Sequence, residues 1–434
     1  MNKSLITFFI VAVVFFSGGL LAESTNKSAS QSEFLNGDAR ADAPELAYRG
    51  DYGVGVRTIT VHHPDQLDMK NYEKSPNRYD RPLTLEVWYP ANIPEGAVQL
   101  TTYSDVLGQG PNDPERPLIP FEFPGRALRD AGVKTGETFP LVIVSHGYAG
   151  SRVLLTYLTE NLASKGYVVA AIDHTDSTHA DATAFASTLV NRALDINFVL
   201  NYMAEGDLAA IVDADKTAVI GYSMGGYGTL IAAGAGVSKT ADVNDFVPGN
   251  EMERFQAGNP QYKAFLDPRI KAVVPMAPWG NGANVKKPTW DAAGLQGIDI
   301  PSLFIVGDQD RTSGFKGVEF LFKNAVKSDR YMLVYQNGIH EIAVNPTPAI
   351  AKDHFREYMH YQEPVWDNRR CNNINQHFIT AFLGIHLKGL NEYQPYLDVI
   401  TMANDAEPKT PEYWKGFKPW TAVGLELHHM KTVD

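Results

Sequence analysis

The chain has 434 residues, 44% of them apolar and 20% charged, a soluble globular composition that buries a full core without disulfides or metals. Its formal net charge of -12 argues against nucleic acid as a partner, because phosphate binding needs a basic face. Cys371 is the single cysteine, which excludes an intramolecular disulfide.

The N-terminus reads MNKSLITFFIVAVVFFSGGLLAES. Lys3 precedes an apolar run from Leu5 to Phe16, and Ser17, Gly18 and Gly19 interrupt it before Leu21 and Ala22. The pattern predicts a signal peptide over residues 1–22, cleaved after Ala22, and a secreted or periplasmic protein. The alternative is an uncleaved anchor. No cysteine follows the run, so a lipoprotein anchor is excluded, and after cleavage no stable membrane insertion is expected. Residues 23–45 are small and polar and read as a disordered leader.

Strand-like runs follow. TLEVWYP (84–90) alternates β-branched and aromatic residues. LVIVSHG (141–147), VVAAIDH (168–174), TAVIGYS (217–223), KAVVPMAP (271–278), SLFIVGDQD (302–310) and YMLVYQNG (331–338) are continuous and apolar, as strands buried on both faces are. Helical patterns lie at 154–167, 189–206, 224–236 and 378–390. This alternation predicts an α/β fold, one mostly parallel sheet with helices on both faces. Residues 46–390 form the expected catalytic domain, and 391–434 a C-terminal extension packed on it. Residues 101–138 are rich in Pro and Gly. Residues 237–268 are an insertion, either a lid or rim or a long surface loop. Cys371 lies in WDNRRCNNINQHF, a helix start, and reads as an inert thiol.

Ligands of open parallel sheets sit at the carboxyl ends of the strands. There, TAVI is followed by Gly221, Tyr222, Ser223, Met224 and Gly225. A serine on a tight strand-to-helix turn needs small neighbours two residues to either side, and both are glycine. A hydroxyl needs a base, and His340 follows the last of these strands. The base needs an acid to fix its tautomer, and Asp310 follows the strand before. Asp308 is the nearby competitor, better suited to holding the turn. Backbone N–H groups of Met224 and Tyr148, the latter in SHGYAGSR, are the expected oxyanion donors. His62, His63, Asp173, His174, Asp176 and His179 lack regular metal-ligand spacing, so no metal and no cofactor is expected.

HGYAG, GYSMGG, a strand-end Asp and a G-x-H loop together resemble the α/β-hydrolase superfamily. The chain is similar to bacterial cutinases and poly(ethylene terephthalate) hydrolases, and to platelet-activating-factor acetylhydrolases, all serine ester hydrolases of dienelactone-hydrolase-like architecture. The likeness spans roughly residues 50 to 390 and is strongest from 139 to 341. It implies Ser223 as nucleophile, Asp310 as acid and His340 as base. It also implies an aromatic and apolar clamp around the acyl group from Tyr148, Met224 and Trp279. The alternative for Trp279 is a side chain that only covers the sheet end.

The acetylhydrolases carry their acid after the strand that here ends in Ala277 and Pro278, which favours Asp310. Relative to the polyester hydrolases the chain is longer, carries the 237–268 insertion and lacks paired C-terminal cysteines. The expected substrate is a small or polymeric ester. The competing readings are a lipid deacylase and a non-catalytic binding protein. Peptidases of this fold need a larger additional domain, and acyl transfer to an alcohol shares the same acyl-enzyme.

Overall fold

A computed structural model describes residues 34–72, 77–110, 113–282, 285–411 and 413–433. The expected signal peptide, and the leader as far as residue 33, lie outside them. The apolar runs become strands β1 (Gly53–Leu67), β2 (Arg78–Asn92), β3 (Phe139–Ser145), β4 (Val168–Asp173), β5 (Val212–Tyr222), β6 (Ile270–Met276), β7 (Ser302–Gly307), β8 (Arg330–Tyr335) and β9 (Leu425–Met430). With the two-residue strands Leu128–Arg129 and Gly132–Val133 they make one sheet, whose long strands run in the order β9-β8-β7-β6-β5-β3-β4-β2-β1. Strands β4, β3, β5, β6, β7 and β8 are parallel to their neighbours within that group. β2, β1 and β9 run antiparallel at the two ends. The fold is the α/β-hydrolase fold.

Helices α1 (Thr156–Ser164), α2 (Phe185–Glu205), α3 (Met224–Ala232), α4 (Phe315–Asn324) and α5 (Asn368–Lys388) cover both faces. The period of two along a strand divides the core between them. On β3, Val142 and Val144 face the layer that holds Leu158, Leu162, Phe378 and Phe382 from α1 and α5. Leu141 and Ile143 face Leu189, Ile196, Leu230 and Leu321 from α2, α3 and α4. Each such leucine contributes about 1.5–3 kcal/mol by leaving water. The Asp367 side chain caps α5 by accepting from Arg370 N, and Gly389, at φ 69°, ends the helix. Cys371 sits fully buried in its first turn, where burial pushes the thiol well up.

Several segments depart from expectation. The leader is ordered from Leu35 onward. Leu35 and Ala43 are buried, Arg40 N donates to Asn373 Oδ1 at 3.0 Å, and Asp38 pairs with Arg126. Its polar side chains reach partners on the body instead of solvent. β1 is hidden in the sequence because Gly, His, Pro and Asp interrupt its apolar residues, and a register shift between His63 and Gln66 absorbs the break. The Pro- and Gly-rich stretch holds a hairpin of Thr101–Leu107 with Ile119–Gly125. Residues 237–268 are no surface loop. Short helices at Val243–Phe246 and Pro260–Phe265 anchor them through buried Val237, Val243, Met252, Phe255 and Tyr262. The segment after 390 supplies β9, so it belongs to the sheet itself. Among the described residues, no helix is long and apolar enough to cross a membrane.

Candidate active site

β5 ends at Tyr222 and α3 starts at Met224, so Ser223 alone makes the turn. Its backbone sits at φ 54°, ψ -113°, a conformation that costs a non-glycine residue on the order of 1–3 kcal/mol. Three glycines let helix and strand close around it. A Cβ at Gly221 would lie 2.2 Å from Gly225 O, and one at Gly225 would lie 1.9 Å from Ser145 O. One at Gly226 would meet Pro278 at 2.8 Å. Ser223 N donates to Met276 O at 2.8 Å, and Ser223 O accepts from Trp279 N at 3.0 Å, so β6 grips the turn from the other side.

The loops after β7 and β8 meet this turn. His340 Nε2 lies 2.9 Å from Ser223 Oγ, and His340 Nδ1 lies 2.9 Å from Asp310 Oδ2. Asp310 Oδ1 accepts from Thr312 N at 2.8 Å and Ser313 N at 2.9 Å, which fixes the carboxylate plane. All three side chains are buried. With Asp310 accepting from Nδ1–H, the Nε2 lone pair faces the serine hydroxyl. Burial works against a charge on His340, but the Asp310 charge and hydrogen bond outweigh it, so its pKa stands above the ordinary histidine value. Burial also works against the Asp310 carboxylate, yet His340 and the two backbone N–H donors hold its pKa below the usual range. Glu341, beside them, is pushed up to about 7 by burial, with Asp310 and Glu363 adding to the rise. Asp308 instead accepts from Asn337 N at 2.7 Å and holds the loop that carries the histidine. Glu363 does the same from behind, accepting from Ile339 N at 2.8 Å.

The loop after β3 closes the site. A Cβ on Gly147 would lie in ordinary contact with Ser223 Cβ at 3.5 Å and press on the Tyr222 ring at 3.1 Å, so the loop packs closely against the nucleophile turn. Tyr148 N and Met224 N donate no hydrogen bond among the described residues. Both donors are open, one in the loop after β3 and one on the residue that follows Ser223.

Aromatic rings line one flank. Tyr148 is half-buried, and its ring meets Phe185 edge-on at 5.5 Å. Phe185 meets Trp279 at 5.8 Å and Phe246 at 6.3 Å, also edge-on. Met224 lies almost wholly beneath this surface. Phe185 and Phe246 are additions that the sequence does not announce. Phe246 lies in the insertion and Phe185 opens α2, and neither carries a spacing signal. On the other flank, a cavity of about 430 Å³ runs beside His340, lined by Gln309, Arg311, Thr312, Glu341 and Met359.

Of the histidines weighed as metal ligands, His63 and His174 both reach Asp195, at 3.6 Å and 2.9 Å, and no group of three or more metal-ligating side chains forms among the described residues. Asp173 pairs with Arg152, Asp176 with Arg81, and His179 Nδ1 meets Gly108 O at 2.9 Å. His174 enters a buried network with Ser145 and Asp195.

Residues 131–257 match a family model described as PET hydrolase-like. Cutinase est1 of Thermobifida alba is 28% identical over 212 residues, 48% of this chain and 55% of that protein. Cutinase 2 of Thermobifida cellulosilytica is 28% identical over 180 residues, 41% of this chain and 50% of its own length. The chain thus spans about half the length of the curated relatives it matches. A shorter likeness, 38% over 59 residues, joins it to a platelet-activating factor acetylhydrolase of Bos taurus, covering 14% of this chain and 13% of that one. Among solved structures, a ferulic acid esterase from Streptomyces cinnamoneus superposes with a TM-score of 0.52 at 20% identity, covering 80% of this chain and 94% of the other. The chain is an α/β-hydrolase-fold protein that resembles the cutinases and the PET hydrolase-like group.

Proposed function

We propose that this protein is a serine carboxylic-ester hydrolase working through an acyl-enzyme on Ser223. One observation carries the reading: the unbroken hydrogen-bond chain from Ser223 Oγ through His340 to Asp310, at 2.9 Å for each step. As Oγ attacks the ester carbonyl, His340 Nε2 takes its proton, and Asp310 stabilises the imidazolium through Nδ1–H. The carbonyl oxygen becomes an oxyanion between Tyr148 N–H and Met224 N–H, donors that act where the charge develops. The tetrahedral intermediate collapses, the C–O bond to the alcohol breaks, and His340 gives that oxygen its proton. Water then attacks the acyl-serine, again with His340 taking a proton, and the acid leaves while Oγ is reprotonated.

The rings of Tyr148, Phe185, Trp279 and Phe246 offer a flat apolar flank, which suits aromatic or polyester-type acyl groups. The likeness to cutinases supports the same substrate class. The N-terminal apolar segment supports export, with Glu23 as the first residue of the mature chain. Edman sequencing of the exported protein tests that point.

Hydrolysis of p-nitrophenyl butyrate by the protein and its Ser223→Ala variant tests the main reading. The variant should lose on the order of 10⁴- to 10⁶-fold in kcat. Retention of more than a tenth of the activity would remove Ser223 from the mechanism.

A further inference from the structure

Behind the SHGYAGSR loop lies a second array of serine, histidine and aspartate that no substrate can reach. Ser145 Oγ lies 2.9 Å from His174 Nε2, and His174 Nδ1 lies 2.9 Å from Asp195 Oδ2. All three are fully buried, and Arg81 Nε clamps Asp195 at 3.1 Å. Arg192 stands one helical turn before Asp195 on α2 and is also fully buried. Its guanidinium meets no carboxylate among the described residues. One nitrogen, Nη1, donates to His146 O and to Ser145 Oγ, the latter at 3.2 Å. The other, Nη2, donates to Gly147 O at 3.0 Å and Ser177 Oγ at 2.6 Å. Burying a charge whose main partners are two backbone carbonyls is costly, and burial lowers its pKa to about 9. Its hydrogen bonds converge on the backbone of the loop that carries Tyr148.

Gly147 O belongs to the same planar peptide as Tyr148 N–H. In a trans peptide the two point in opposite directions, so a donor that fixes the oxygen also aims the N–H. His146 Nδ1 reinforces the arrangement from 2.6 Å on the same oxygen, while His146 Nε2 accepts from His174 N at 3.3 Å. The rigid fork of Arg192 reaches two successive carbonyls at once, which a lysine cannot reproduce. We propose that Arg192 is a positioning residue that holds the Gly147–Tyr148 peptide so that Tyr148 N–H faces the oxyanion. Ser145, His174, Asp195 and Arg81 form the buried frame that keeps the guanidinium in place. The inference rests on the ester-hydrolase reading above and adds a residue that touches neither substrate nor reacting atoms.

The test uses Arg192→Lys and Arg192→Met in the full chain. Active sites are counted by the p-nitrophenol burst with diethyl p-nitrophenyl phosphate, so that unfolded protein drops out of the rate. Per titrated site, kcat for p-nitrophenyl butyrate should fall about 10- to 100-fold, less than or equal to the loss of one oxyanion donor, with KM within about twofold. The inhibition constant of butylboronic acid, whose tetrahedral adduct uses the same donors, should rise by a similar factor. A merely structural role would lower the number of titrated sites and leave both ratios unchanged, and that result would overturn the assignment. Should neither variant yield folded protein, Ser177→Ala, which removes the hydrogen bond at 2.6 Å, should lower kcat and weaken boronate binding together. No change in either overturns it equally. If the unaltered protein shows no burst, the ester-hydrolase reading itself has failed. If it does and the Arg192 variants match it, only the role of Arg192 has failed.

Discussion

Ser223 sits in a backbone conformation that an unconstrained serine avoids, and the surroundings hold it there. Burial, Asp310 and Glu341 set the acid–base behaviour of His340. Its pKa is raised, so at a given pH more of it is protonated and unable to accept the Ser223 proton. The acid limb of kcat/KM should therefore lie above the ordinary histidine value of about 6.5. A midpoint below pH 6 would contradict this. The Glu341 carboxylate adds to the rise by stabilising the imidazolium. Glu341→Gln should move the acid limb to lower pH, and a shift upward, or none, would show that Glu341 does not face the histidine. The aromatic flank carries a further expectation. Trp279→Ala and Phe246→Ala should each lower kcat/KM for p-nitrophenyl benzoate by about 3- to 10-fold more than for the acetate, the scale of one aromatic contact. Equal losses on both esters would make these rings mere support. Ser223, Asp310 and His340 were legible in the sequence because each follows an apolar strand run, in an order that brings them to one edge. Phe185, Phe246 and Arg192 were not, because their partners lie far along the chain or are backbone atoms that no pattern records.

The elements show why spacing succeeded in the centre of the fold and failed at its margins. The central strands are buried on both faces and read as continuous apolar runs, whereas β1 and β9 are edge-side strands that carry polar residues. The turn between β5 and α3 is a tight joint. Gly225→Ala would drive a methyl group into Ser145 O, 1.9 Å away, so helix and strand must separate. We expect a loss of at least about 1–3 kcal/mol in stability and a larger loss in activity, because Met224 N–H and Ser223 move together. Thermal unfolding and kcat measured on the same preparation check this, and an unaltered midpoint would contradict it. At the far edge, β9 pairs with β8 along its whole length, and its Leu425 and Leu427 are buried. Deleting residues 425–434 uncovers β8, whose following loop carries His340. The denaturant midpoint should fall, and activity should decline with it.

Charge and architecture act together across the chain. The formal net charge of -12 works against association with anionic polymers, and under the proposed ester-hydrolase reading the apolar flank takes neutral esters. The chain holds two buried serine–histidine–aspartate arrays. One, Ser223–His340–Asp310, is the proposed catalytic array; the other, Ser145–His174–Asp195, is fully buried, and Arg192, hydrogen-bonded to its Ser145, also holds the His146 and Gly147 carbonyls. The most direct test of the central claim is covalent. The protein is treated with diethyl p-nitrophenyl phosphate, and its peptides are read by mass spectrometry. One diethylphosphoryl group on Ser223, absent from Ser223→Ala and formed far more slowly in His340→Ala, is the predicted result. A phosphoryl group on another residue, or full hydrolytic activity after Ser223 has been modified, would contradict it.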